Sequence, residues 1–137
     1  MFTGVIHHIG TITGAHQAGD LILTIACGFD TDSLRIGESI ACNGACLTVT
    51  SVIAHPSSAF TVQLSPETLA CTAPRWSVGE ILHLERAMRL GDALDGHLVT
   101  GHVDGLATLH SITPNHGSRI LQLEAPESLS RFIAAKG

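Results

Sequence analysis

The chain has 137 residues, of which 45% are hydrophobic, enough for one domain with a packed core, and its net charge is −5. With only seven Lys and Arg it offers no basic surface to neutralise phosphates, which excludes nucleic acid and an anionic membrane face as partners. Its apolar runs are strand-sized and the start, Met1-Phe2-Thr3-Gly4, has no basic or long apolar stretch, so neither a spanning helix nor a signal peptide is expected, and Cys27, Cys42, Cys46 and Cys71 read as reduced thiols of a cytoplasmic protein.

Period-two patterns dominate from the N-terminus onward, and strands are expected near 4–13, 20–27, 38–42, 46–54, 59–64, 80–86, 102–112 and 119–125. Leu21, Leu23 and Ile25 share one face of the second strand; Leu82 and Leu84 do so in the sixth, and Leu121 and Leu123 in the last. Asn43-Gly44 is a hairpin turn between the third and fourth strands. Gly10, Gly14, Gly28, Gly37, Gly79 and Gly105 stand where a curling sheet needs bulges or turns. Ser65-Pro66-Glu67-Thr68-Leu69 supplies a cap, a proline at the first helical position and an acid in the first turn, and Pro126-Glu127 repeats that start. No linker, low-complexity stretch or internal repeat is expected, and the class is all-β, a closed barrel or a sandwich.

The residues that could carry chemistry stand out in two stretches. In Cys42-Asn43-Gly44-Ala45-Cys46-Leu47-Thr48-Val49-Thr50, a thiol and a hydroxyl, Cys46 and Thr48, lie on one strand face beside a tight turn. Cys46 is open to two readings, a reactive thiol or a small packing residue. Asp95-Gly96-His97-Leu98-Val99-Thr100-Gly101-His102-Val103-Asp104-Gly105 carries two histidines. Of these, His102 can move a proton near neutrality, and His97 reads as a structural hydrogen-bonder. The other histidines, including the adjacent His7 and His8 and the isolated His55, are scattered. Cys42 and Cys46 are separated by three residues with no second cysteine pair, so no zinc site is expected. Phosphate-binding glycine loops and a serine-hydrolase elbow are absent.

Those two stretches and the opening Met1-Phe2-Thr3-Gly4-Val5-Ile6, in this order and separation, resemble the N-terminal half of riboflavin synthase across essentially the whole chain. The resemblance implies a six-stranded antiparallel Greek-key barrel with one or two short helices, expected here as a single lumazine-binding barrel over residues 1–137. It implies a second, similar barrel beginning where this sequence ends, so the chain is expected to be one half of a longer protein. The implied reaction is a dismutation, a four-carbon transfer between two molecules of 6,7-dimethyl-8-ribityllumazine. It gives riboflavin and 5-amino-6-ribitylaminouracil, with no metal or cofactor. The protein must hold two flat rings face to face, where proximity is worth about 7–11 kcal/mol in well-oriented systems. It must also move a proton from the acidic C7 methyl, for about 10²–10⁴-fold more.

Residue by residue, the resemblance implies catalytic roles for His102, Cys46 and Ser39. It implies substrate contacts from Thr3, Gly4, Val5 and Ile6, from Cys46, Leu47 and Thr48, from Gln63, Leu64, Ser65, Pro66, Glu67 and Thr68, from Gly101, His102 and Val103, and from Lys136. Asp95 and Pro66 depart from the family's usual Gly and Lys-like residues. The expected partners are lumazine and riboflavin, and another copy of the chain. The family is trimeric, and a lone barrel is expected to pair and to bind ligand with little or no turnover. The rival readings are a flavin- or lumazine-binding module without chemistry, against which His102, Cys46 and Ser39 count, and an unrelated β-barrel interaction domain.

Overall fold

The computed structural model describes residues 1–54, 58–73 and 75–136; His55 lies outside them. Six antiparallel strands close into a barrel: β1 (His8–Ala18), β2 (Asp20–Cys27), β3 (Ser39–Cys42), β4 (Ala45–Ile53), β5 (Ala59–Leu64) and β6 (Ile81–Arg86). Around the barrel they run β1-β2-β5-β4-β3-β6, so β3, β4 and β5 are consecutive neighbours while β2 reaches across to β5, a Greek-key path. The fold is the all-β barrel expected from the sequence, with two short helices, α1 (Pro66–Cys71) and α2 (Glu127–Ser130).

Local chemistry explains these elements. Asn43 and Gly44 take φ of 49° and 87°, the two left-handed residues that a two-residue turn between twisted strands requires. The Asn43 side-chain oxygen accepts the His83 N–H at 2.8 Å, which fixes the turn against β6. Ser65 caps α1, its Oγ accepting the Thr68 N–H at 3.2 Å. The inward faces of the strands fill the barrel: Ile12, Leu23, Ile25, Phe60, Leu82 and Leu84 are all fully buried. Gly10 is needed there because a Cβ would sit 2.6 Å from Leu84 Cδ1 and 2.9 Å from Ile25 Cγ2. An ion pair spans the β3–β6 seam: Arg86 donates to both Glu38 carboxylate oxygens, at 2.7 and 2.8 Å.

The structure corrects two strands at both ends: β1 runs on to Ala18 rather than 13, the strand expected over 102–112 runs on to Asn115, and both start later than expected. The first strand, expected from residue 4, begins at His8. Gly4 has φ 81°, and Glu85, 3% exposed, captures the preceding backbone. Glu85 Oε1 accepts the Thr3 N–H at 2.6 Å and the Thr3 hydroxyl at 2.7 Å, and Oε2 accepts the Gly4 N–H at 3.0 Å. The strand expected from residue 102 begins at Thr108, because Gly101 takes φ 76° and lends its carbonyl to the Cys46 N–H at 2.8 Å.

The barrel strands span residues 8–86. Beyond them, β7 (Thr108–Asn115) and β8 (Ser118–Glu124) form a separate two-stranded sheet. No repeat is expected from the sequence, yet this second hairpin matches β1–β2 in geometry. Thr11, Ile12 and Gly14 face Ala26, Ile25 and Thr24, with a bulge between Ile12 and Gly14. Thr108, Leu109 and Ser111 face Glu124, Leu123 and Gln122, with a bulge between Leu109 and Ser111. The approach to each hairpin is alike too: Phe2 and Val99 each precede a Thr-Gly pair. They also bond each other reciprocally, Phe2 N–H to Val99 O at 2.7 Å and Val99 N–H to Phe2 O at 3.0 Å.

Candidate functional site

A cavity of about 190 Å³ opens between β4, α1 and the segment that leads to the second hairpin. β4 contributes Cys46; α1 and its end contribute Glu67, Thr68, Cys71 and Thr72; the segment contributes Gly101, His102 and Val103. The segment is drawn in by the Cys46–Gly101 backbone bond. A Cβ on Gly101 would lie 2.9 Å from Cys46 Cβ and 3.0 Å from Gly44 O, so glycine is required for the approach as well as for its positive φ. His102 is thereby placed at the rim, its side chain exposed and its backbone N–H on Thr100 Oγ1 at 3.4 Å. An imidazole, two thiols, a carboxylate and two hydroxyls thus border one small cleft.

The two cysteines flanking the Asn-Gly turn are chemically distinct. Cys42 is fully buried, and desolvation, with Cys46 close by, pushes its thiol up to about 12. It is an apolar filler at neutral pH. Cys46, half-buried at the cavity wall, is the one a ligand can reach. Cys71 donates to Glu67 Oε1 at 3.3 Å, and that bond to a carboxylate raises its pKa from the ordinary value of 9.0.

Of the residues expected at the site, Cys46, Glu67, Thr68, Gly101, His102 and Val103 come together. Thr48 lies on the outward strand face with Cys46, and Ser39 is its register partner across β3–β4, so Thr48 and Ser39 continue the face of Cys46 but are not in the cavity lining. Gln63 and Pro66 are exposed and Ser65 is engaged as the helix cap. The Leu47 and Leu64 side chains belong to the core, 3% and 0% exposed, which leaves only their backbone for a ligand. Thr3, Gly4, Val5 and Ile6 stand apart from this cavity. Glu85 holds their arm through Thr3 and Gly4, and the arm is bonded to the 97–99 segment. There Thr3 and Val5 line a separate cleft of about 390 Å³ with Glu85, Arg89 and Asp92. His97 packs against that arm, its N–H on Thr3 O at 2.9 Å. Lys136 is exposed near the chain end and is not in the lining. Among the described residues, no group of three His, Cys, Asp or Glu side chains is placed to hold a metal ion, and no helix is long and apolar enough to cross a membrane.

Residues 3–87 match the lumazine binding domain family. Riboflavin synthase from Brucella abortus (strain 2308) is 39% identical over an alignment that spans 100% of this chain and 70% of that protein. The chain belongs to the riboflavin synthase family. The riboflavin synthases of Actinobacillus pleuropneumoniae and Bacillus subtilis (strain 168) are each 38% identical, and the chain spans 63% of the length of each. Among solved structures, LumP complexed with riboflavin shares the fold at a TM-score of 0.79 and 23% identity, covering 97% of this chain and 72% of that one. LumP complexed with 6,7-dimethyl-8-(1'-D-ribityl) lumazine does so at 0.74, again at 23% identity, covering 97% and 71%. The family match ends at residue 87, immediately after the last barrel strand.

Sequence reasoning misses Glu85, Cys71 and Thr72. Glu85 is legible only as an acid at the end of an otherwise apolar alternation, Ile81-Leu82-His83-Leu84. Cys71 and Thr72 follow Thr68 at helical spacings of three and four, which puts them on its side of α1; extending the expected helix by one turn exposes both.

Proposed function

We propose that this chain supplies a substrate-binding barrel of a riboflavin synthase and that the cavity between Cys46 and His102 takes 6,7-dimethyl-8-ribityllumazine. The observation that carries this reading is the meeting of Cys46 and His102, distant in sequence, at one rim beside a helix bearing Glu67 and Thr68. In this reading His102 removes and returns the C7-methyl proton. Cys46 positions or supplies the nucleophile that adds to a ring, with Ser39 and Thr48 further along the same face. Glu67 and Thr68 hold the ribityl hydroxyls, and the backbone of β4 reads the pyrimidine edge. The four free cysteines fit a reducing, cytoplasmic setting.

Dismutation needs two lumazines, and the cavity described holds one side of such a pair. The geometric likeness of the hairpins supports reading β7–β8 as the opening of a second barrel. By the same likeness Thr3–Ile6 corresponds to Thr100–Val103, and we assign it to the second barrel's site in the way that Thr100–Val103 serves the first. The chain of residues 1–137 accordingly binds lumazine and riboflavin with little or no turnover, and its exposed hairpin leucines favour pairing of two copies.

Fluorescence titration of the 137-residue chain with lumazine and with riboflavin tests the reading. The expected result is saturable binding that His102→Gln and Cys46→Trp both weaken. Failure of either ligand to bind overturns it. The fold shared with LumP supports a second reading, a carrier without chemistry. Riboflavin formation by the protein with both barrels, lost on His102→Gln, separates the two.

A further inference from the structure

Glu85 is buried, acidic and outside the cavity lined by Cys46 and His102. Among the described residues no cation pairs with it. Its two oxygens are filled by three neutral donors, the N–H and hydroxyl of Thr3 and the N–H of Gly4. Taking a carboxylate out of water is expensive and is tolerated only when its oxygens are hydrogen-bonded. An amide side chain would turn donors of its own toward these donors, so a group that only accepts fits the place. The position of this carboxylate in the sheet shows what it serves. Glu85 faces Ala41 across β6–β3, and Ala41 faces Cys46 across β3–β4. The three stand in one row on one face, with Glu85 and Cys46 two strand spacings, about 10 Å, apart.

The segment that carries His102 is fastened over both ends of this row. At the Glu85 end the captured arm takes it: Thr3 O accepts the His97 N–H at 2.9 Å, and Phe2 O accepts the Val99 N–H at 3.0 Å. The fit is close, since a Cβ on Gly96 would collide with Thr3 O. At the Cys46 end, the Cys46 N–H donates to Gly101 O at 2.8 Å, and His102 follows at once. One bond alone would leave the segment free to pivot; anchors at both ends fix its direction. We propose that Glu85 is a positioning residue for His102. Its carboxylate acts through Thr3 and Gly4, and then through the 97–101 segment, to fix where the imidazole stands at the cavity rim. This rests on the reading above of His102 as the proton carrier that meets the ligand.

Amide hydrogen exchange and ligand titration of the 137-residue chain test this in Glu85→Gln, which keeps the side chain's shape and replaces one accepting oxygen by a donor. The Cys46 amide, on the far side of Ala41, is expected to exchange at least about tenfold faster, while amides of the β2–β5 ladder stay within about twofold. A merely structural role would speed both alike. Thr3→Val, which removes only the hydroxyl, is expected to give the same pattern at about threefold, and it decides the matter should Glu85→Gln fail to fold. Lumazine affinity closes a double-mutant cycle: Glu85→Gln should weaken binding about fivefold in the parent and less than about twofold in a His102→Gln background. A Cys46 amide unchanged in both variants, or equal losses of affinity in the two backgrounds, overturns the proposal. Absence of lumazine binding by the unaltered chain overturns the site reading instead, and the exchange pattern alone then decides whether Glu85 holds the segment.

Discussion

The two hairpins of this chain have one geometry and two environments. β1–β2 and β7–β8 share their pairing and the position of their bulge, yet Ile12, Leu23 and Ile25 are 0% exposed while their counterparts Leu109, Leu121 and Leu123 are 49%, 56% and 59% exposed. The difference lies in what pairs at the edges. β1 is bonded to β6 and β2 to β5, which closes the barrel over the apolar face. β7 and β8 pair only with each other among the described strands. A two-stranded ribbon can therefore take the family geometry locally, but burial comes from closure, and with it most of the hydrophobic stabilisation.

Truncation of matched leucines should separate the two hairpins most widely. Leu23→Ala is expected to cost about 2–5 kcal/mol in chemical denaturation, and Leu121→Ala less than about 0.5 kcal/mol in chain too dilute for two copies to pair. Equal costs would mean that the hairpin is covered in solution. The next contrast is at glycine. Gly10→Ala is expected to cost about 1–3 kcal/mol, because the added methyl meets Leu84 and Ile25 inside the barrel. The second hairpin already carries Ala107 at the matching place, and Ala107→Gly should leave stability nearly unchanged.

The smallest effect concerns the seam that the hairpin lacks. Burial works against ionising Glu38, but the hydrogen bonds and charge of Arg86 prevail and hold its carboxyl below the ordinary 4.5. A depressed folded-state pKa stabilises at pH values above the unfolded value and fades as pH falls through the folded one. Denaturation midpoints measured across acid pH should therefore drop below about pH 4.5 in the parent. In Glu38→Gln that part of the drop, about 1 kcal/mol or less for a partly exposed pair, should be missing.

Much of the barrel is legible in the sequence because its signals are local. Asn43-Gly44 dictates its own turn, Ser65-Pro66 its own helix start, and alternation in 20–27 and 59–64 marks strands to the residue. What alternation does not reveal is which strands join the barrel. Leu121 and Leu123 alternate as well as Leu23 and Ile25 do, and only long-range pairing separates them. The start of the first strand escapes local reading for a related reason. Glu85, far along the chain, takes the backbone donors of Thr3 and Gly4, and no local pattern reports that. At the site, the residues brought together come from three separate stretches, and their grouping is legible only through family resemblance. The resemblance also groups the arm of Thr3–Ile6 with them, although Gly101 occupies the place beside Cys46.

The reciprocal bonds of Phe2 and Val99, with Met1 O accepting the Met88 N–H at 2.9 Å, have a practical consequence. The first residues are fastened to the same segment that positions His102. A purification tag or leader left on Met1 would tug on that wall of the cleft, and binding constants taken from such material would describe the fusion as much as the protein. Handles belong at the opposite terminus.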